Sequence, residues 1–480
     1  MLSKVAAYRN IKLLMTRLIF WYAATFSLYR INLHFTFCLY RKIYFHFSGN
    51  PILMKKFLLI SFAALLLNFS VSAQRKLIHC GTLIDGISNA ARSNMTIVIE
   101  KNKIISVTSG FTTPQTGDEV IDLSKKTVLP GLIDMHVHLE TETSKDAATK
   151  RMSMSPADIA YEAEKNGKTN LMAGFTTVRD LGGTNVNIAL RNAINKGIVV
   201  GPRIFTSGKT IATTGGHGDP TNGWRDDISF PPSVTDGVIN SPEEARQAIR
   251  QRYKDGTDWI KITATGGVLS IAKSNKAPQF QKDELDALIA TAKDYGFKVA
   301  AHAHGAEGIK RALRAGVTTI EHGSFLDDEC IALFKEKGAY LVPTIIAGKS
   351  AADSAKIPGY YHPLVVPKAL EIGPLIQNAF ARAYKAGVKI AFGTDAGVYK
   401  HGLNAKEFQY MTEAGMPIME AIKSATIVPA EILDMKEQLG SIEAGKLADI
   451  IATETNPLED VKTLMNVTFV MRDGIIYKKQ

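Results

Sequence analysis

The sequence predicts an α/β protein: a (β/α)8 TIM-type barrel with a small composite β-sandwich domain formed by the two chain ends. Three observations predict it. Between Gly131 and Asn404, eight short apolar runs alternate with amphipathic helical stretches. Such alternation implies parallel strands joined by right-handed crossovers, and eight units close a barrel. Residues 75–128 and 438–480 read instead as strands and turns. Finally, 45% of the 480 residues are hydrophobic and 21% charged, a composition that supports a large core and excludes a disordered or low-complexity chain.

In chain order, residues 1–53 come first, with seven Lys or Arg and no Asp or Glu. Arg17, Arg30 and Arg41 interrupt each apolar stretch before it reaches the roughly 20 residues of a spanning helix. This segment is expected to be a non-native extension ahead of the true initiator Met54, with a membrane-associated leader as the rival reading. Residues 54–73 then read as a secretory signal peptide: Lys55 and Lys56, an apolar run from Phe57, and the small-residue site Val71-Ser72-Ala73. Cleavage near Ala73 predicts an exported protein, periplasmic or extracellular, without a stable membrane span in the mature chain. The net charge of +11 is concentrated in this N-terminal region, so a nucleic-acid partner is not expected. Only Cys80 and Cys330 follow the signal peptide, too few for a disulfide framework.

Residues 75–128 supply LIHCGTLIDG, MTIVIEKNKIISVTSG with period-two alternation, and DEVIDLSKKTVLP. The barrel is expected over 129–437. Its eight strands are LIDMHVHL, FTTVRDL, RIFTSG, WIKITA, KVAAHA, TTIEHG, YLVPTII and KIAFGTDA. Ser241-Pro242-Glu243-Glu244 reads as an N-cap, a first-turn proline and a capping-box glutamate. Residues 282–295 carry helical apolar spacing and end at the C-cap Gly296. Residues 417–434 look helical, and the tail from Gly440 returns to strands.

Strand alternation decides which chemistry-bearing side chains can meet. His136 and His138 are two apart and share a face, which in a barrel is the interior near the C-terminal mouth. Alone, such a pair also fits two polar residues on a wet strand. Other predicted strand ends carry ligand-type residues too: Lys261, His302 and His304, His322, and Asp395. Lys261 lies between the outward-facing Ile260 and Ile262, so it points inward, where an ammonium would be desolvated beside a cation. A deprotonated amine there could add carbon dioxide and become a bidentate, metal-bridging carbamate.

The ordered set LPGLIDMHVHL, IKI, AHAHG, AGVTTIEHG, FGTDAG and GSIEAGKLADI resembles the amidohydrolase superfamily of metal-dependent hydrolases across essentially the whole mature chain. GFTTVRDLGG, TTGGHGD and AHAHGAEGIKRALRAGVTTIEHGSFLDD are most similar to its imidazolonepropionase-like branch, which includes Xaa-Pro-type dipeptidases and carboxypeptidases. The resemblance implies His136 and His138 on a buried metal, Lys261 as the carbamate bridge, His302 and His322 on an exposed metal, and Asp395 beside a bridging hydroxide. Such a ligand set suits two divalent ions, Zn2+ first. Asp395 is then the proton shuttle to the departing amine, with a purely structural ligand as its alternative role.

For a substrate carboxylate the candidates are His217 in the Gly-rich loop after strand 3, His304, and Tyr399, with His401 and Arg225 weaker. Arg179 and Asp180 are expected to form a structural ion pair, and His79 and His362 to be surface residues. The expected activity is hydrolysis of the amide bond of a dipeptide or N-acyl amino acid by an enzyme that can form a homo-oligomer. The alternative is a cyclic amidase of imidazolonepropionase or hydantoinase type. A non-catalytic binding protein is disfavoured, because no ligand position is lost.

Overall fold

The computed structural model describes residues 74–480, apart from 226 and 228. The expected leader extension and signal peptide lie outside the described residues. The chain opens with β1 (Arg75–Leu83), β2 (Arg92–Glu100), β3 (Lys103–Ser109) and β4 (Glu119–Pro130). β1 pairs antiparallel with β2 and parallel with β4.

Eight parallel strands follow: β5 (Leu132–Val137), β6 (Phe175–Asp180), β7 (Arg203–Thr206), β8 (Ile260–Thr263), β9 (Val299–Gly305), β10 (Thr319–Phe325), β11 (Tyr340–Val342) and β12 (Lys389–Ile390). Between and after them come α1 (Ala147–Ser153), α2 (Pro156–Met172), α3 (Val186–Asn195), α4 (Pro242–Asp255), α5 (Lys282–Asp294), α6 (Ala306–Ala315), α7 (Asp328–Lys337), α8 (Ile345–Ala355), α9 (Val366–Lys385), α10 (Lys406–Glu413), α11 (Ile418–Ser424) and α12 (Ile427–Ile432). The strands form two ladders, β5-β6-β7 and β8 through β12. Parallel bridges Ile211–Ile262 and Val137–Ala396 join the ladders at both seams and close the barrel. One apolar cluster fills the space between strands and helices, with Phe175, Ile262, Leu288, Leu313, Phe380 and Phe408 all nearly inaccessible.

The chain then returns through β13 (Ile450–Thr453), β14 (Val467–Arg472) and β15 (Ile475–Lys479). β13 pairs antiparallel with β4, giving one seven-stranded sheet in the order β15-β14-β13-β4-β1-β2-β3. The two chain ends thus build the expected composite β domain, as one mixed sheet. One face buries Ile78, Ile97, Leu123, Ile450 and Phe469 with little besides Ile442 and Ala448 from outside the sheet. A flat sheet could not hide that face, so its burial follows from twist and curling.

Two further expectations change. YLVPTII is strand only to Val342: Pro343 offers no N–H, Thr344 takes a positive φ of 48°, and Ile345 already begins α8. Ser241 caps α4 by accepting from the Glu244 N–H, but the Glu244 carboxylate accepts from the Asn240 N–H at 2.6 Å, one residue before the expected partner.

At the barrel floor, Arg203 at the start of β7 donates to Asp449 and Asp473, each at 2.7 Å, and thereby ties the barrel to the terminal sheet. Replacing Arg203 with Met strands the largely buried Asp449 without a counter-charge. Urea unfolding at neutral pH should show a loss of about 2–4 kcal/mol; an unchanged midpoint would contradict the bracing role.

Candidate metal centre

The centre sits at the C-terminal mouth of the barrel, and backbone conformation decides its membership as much as alternation does. His136 on β5 and His138 just beyond it share one face, as do Lys261 and Thr263 on β8 and His302 and His304 on β9. On β10 the inward residue by alternation is Glu321, which accepts from the Thr319 hydroxyl two residues earlier. His322 nevertheless also reaches the centre, because its φ of 74° breaks the alternation. Asp395, with φ of 60°, leaves the strand direction in the same way. Such left-handed non-glycine residues are costly and cluster where a site imposes them.

Two groups of ligand atoms result, His136/His138/Asp395 and His302/His304/His322, each with its atoms within 4.8 Å of one another. The His136 and His322 rings, 5.2 Å apart, connect the groups. Lys261 Nζ lies 3.3 Å from His136 Nε2. His304, expected at the substrate, thus stands as close to His302 and His322 as they do to each other, with ring separations of 4.6 to 4.9 Å.

Hydrogen bonds on the far side of each imidazole fix its tautomer. His136 Nδ1 donates to Glu321 at 2.9 Å, and His138 Nδ1 faces the Gly182 carbonyl at 3.4 Å. His302 Nε2 faces the Gly266 carbonyl at 3.3 Å, while Thr344 meets His322 Nδ1 at 2.7 Å and Ser324 meets His304 Nδ1 at 2.9 Å. Carboxylates and carbonyls only accept, so the remaining nitrogen of His136, His138 and His302 carries a lone pair. Asp395 Oδ1 stands 3.5 Å from His136 Nε2 and 3.1 Å from His138 Nε2. With the imidazoles neutral, these nitrogens and the Asp395 carboxylate converge as acceptors, a set that a cation among them stabilises. Divalent ions therefore fit this donor set.

The electrostatics agree. Burial, reinforced by Lys261, pulls the His136 pKa down to about 4, and burial with neighbouring imidazoles pulls His304 to about 3 and His302 and His322 well below their usual range. Burial also acts downward on His138, but Asp395 outweighs it and raises that pKa. Lys261 falls to about 8 through burial, which makes its neutral amine accessible. Burial pushes Asp395 upward, yet His136, His138 and Lys261 prevail and hold it at about 2.

Glu321 and Asp134 are functional residues that the sequence reading missed. Glu321 is inaccessible and joins His136 to Arg179, whose Nη2 donates to it at 2.9 Å and whose guanidinium lies 4.5 Å above the Trp259 ring. Arg179 therefore pairs with Glu321 and not with Asp180: consecutive strand residues face opposite sides, and Asp180 accepts from Leu139 N–H and Asn187 instead. Asp134 accepts from the His136 and Thr394 backbones, the Thr394 hydroxyl and Asn404, coupling the first strand to the segment carrying Asp395. Its parity with His136 and His138 was the available signal.

A cavity of about 200 Å³ opens above the metal ligands. Its remaining wall is mostly apolar, with Val268, Leu269, Ala351, Ile372 and Ile376. His217 lines it, its ring 4.3 Å from that of His302 and its Nδ1 buried without a hydrogen-bond partner. His217 lies flat against Gly267, where any Cβ would sit 2.1 Å from the ring. Tyr399, expected at the substrate, does not line this cavity; Val398 does, and the tyrosine is buried behind it. His401 is spent on Asn170 and the Thr141 carbonyl, both at 2.9 Å, and Arg225 is exposed and paired with Asp227.

Replacing Glu321 with Gln keeps the shape but leaves one accepting oxygen where His136 and Arg179 each need one, and removes the charge that neutralises Arg179. Metal affinity measured by chelator competition should fall about 10–100-fold, with reduced unfolding free energy; wild-type affinity would contradict the relay.

Residues 127–476 match the amidohydrolase family. A solved Xaa-Pro dipeptidase with methionine bound in its active site is 52% identical, with a TM-score of 0.82, over 84% of this chain and all of that one. Ochratoxinase of Aspergillus niger is 32% identical over 436 residues, 85% of this chain and 87% of its own. Imidazolonepropionase of Fusobacterium nucleatum is 27% identical over 75% of this chain and 84% of its own. With this match and these ligand clusters, the chain belongs to the amidohydrolase family and is a metal-dependent hydrolase of amide-type C–N bonds.

Proposed function

We propose that the protein is an exported, binuclear zinc hydrolase that cleaves the amide bond of a dipeptide or N-acyl amino acid with an apolar side chain. The observation that carries this reading is a cavity with converging metal ligands on one side and an aliphatic wall on the other. The dipeptidase and ochratoxinase relatives support the amide, and the signal-peptide pattern of the sequence from Met54 supports export.

In this reading His136, His138 and Asp395 would hold one ion and His302 and His322 the other, with Lys261, as its carbamate, supplying a further anionic ligand. The depressed Lys261 pKa favours the neutral amine that carbon dioxide requires, and the carbamate replaces a cation beside His136 with an anion. Bound there, such ions would supply Lewis acidity for a carbonyl and lower the pKa of a water toward about 7.

Asp395, held ionised, accepts the proton of the attacking water and returns it to the departing amine nitrogen, which cannot leave as an anion. His217 and His304, neutral in their buried setting, offer N–H donors to the substrate carboxylate or the developing oxyanion. Val268, Leu269, Ile372 and Ile376 receive the side chain and exclude water.

Expression from Met54 followed by metal analysis should give about two ions per chain, and a labelled-bicarbonate NMR experiment should show a carbamate carbon that Lys261→Ala abolishes. Asp395→Asn should lower turnover roughly 10²–10⁴-fold across a dipeptide and N-acyl amino acid panel. A single ion, with turnover indifferent to Lys261→Ala, would overturn the binuclear mechanism.

A further inference from the structure

Lys368, on α9, is 6% exposed and among the described residues has no carboxylate partner; its ammonium donates to three backbone carbonyls, Gly267 at 3.1 Å, Ser270 at 2.5 Å and Ala272 at 2.8 Å. Burying a lysine head group is expensive unless its donors are filled, and here all three are filled by one loop. That loop follows β8. Among the described residues, its 267–272 segment makes no backbone hydrogen bond to another element, so the lysine is its principal polar anchor.

The anchored loop borders three parts of the site. The Gly266 carbonyl faces His302 Nε2 and fixes its tautomer, Gly267 leaves room for the His217 ring, and Val268 and Leu269 line the apolar wall. On α9 itself, Ile372 and Ile376 follow Lys368 at intervals of four residues, on the same helix face, and line the same wall. One helix stripe thus supplies two residues of the wall and the cation that holds two more. α9 is in turn close to α8: a Cβ on Gly373 would lie 2.4 Å from that of Ala352, leaving the helix little freedom to follow a displaced loop.

We propose that Lys368 is a positioning residue that sets side-chain selectivity, by holding the 267–272 loop so that Val268 and Leu269 close the apolar compartment with Ile372 and Ile376. The inference rests on the amidase reading for its substrates but not for its geometry. Removing the ammonium takes the lysine donor from the Ser270 and Ala272 carbonyls and leaves the Gly267 carbonyl with the Ser270 hydroxyl at 3.0 Å, and the loop gains by moving toward water. The compartment then widens, and discrimination between small and large aliphatic groups declines.

The test compares metal-loaded wild type with Lys368→Met and Lys368→Arg by amide hydrogen exchange over 264–278, calorimetric binding of L-alanine and L-leucine, and kcat/KM on matched N-acyl amino acids. Lys368→Met should accelerate exchange in 267–272 and shrink the leucine-to-alanine preference about tenfold, the scale of a misfitted methylene or two. Lys368→Arg, which keeps charge and donors, should retain most of both. Unchanged exchange, or faster exchange with unchanged preference, would overturn the proposal. If Lys368→Met does not fold, Lys368→Gln, with two N–H donors for three carbonyls, is read by the same criteria. Turnover of no substrate by wild type would sink the amidase reading alone, since calorimetry and exchange still decide the role of Lys368.

Discussion

Glu321 is a carboxylate without access to solvent, and the barrel tolerates it because Arg179 and His136 share its charge. The arrangement is a buried chain: an indole, a guanidinium, a carboxylate and an imidazole, each satisfied by the next. Arg179 also donates to the Met135 carbonyl at 2.7 Å and to Thr319, so one side chain links the first, second and sixth barrel strands. Buried ion pairs of this kind contribute little net stability against an apolar replacement. What this one supplies is orientation: it fixes the proton on His136 Nδ1 and presents the opposite lone pair to the centre.

The same logic divides the cavity. On the ligand side every imidazole is aimed by a partner behind it. The opposite side is an aliphatic wall from the loop after β8 and from α8 and α9, whose side chains do not touch the ligands through hydrogen bonds although the loop backbone does, at the Gly266 carbonyl. Chemistry is set by strands, and selectivity by what the strands carry at their ends.

The eight barrel strands, the two His pairs and the inward Lys261 were legible because a period of two is written directly into LIDMHVHL, WIKITA and KVAAHA. His322 and Asp395 were legible as ligand-type residues at strand ends, but their roles came with the family resemblance, since their positive φ values violate the alternation that otherwise predicts facing. Glu321 was hidden for a related reason: adjacent residues on a strand should not both face inward. Tyr399 and His401 looked like rim residues by position, but burial and side-chain pairing depend on α2 and on residues 134–142, far away in sequence. Lys368 was invisible as well, because nothing in a helix sequence says that a lysine will be capped by carbonyls of a loop about a hundred residues earlier.

His136 and His138 belong to the first barrel strand, whereas Asp395 lies beyond the last, and the seam between them is closed by the Val137–Ala396 bridge and by the Asp395 N–H donating to the His136 carbonyl at 2.7 Å. A growing polypeptide therefore displays its histidine pairs long before it owns a complete ligand set. The His136/His138/Asp395 group is complete only where that last seam closes, whereas His302, His304 and His322 already meet on neighbouring strands of one ladder, so the two halves of the centre draw on different stretches of the chain.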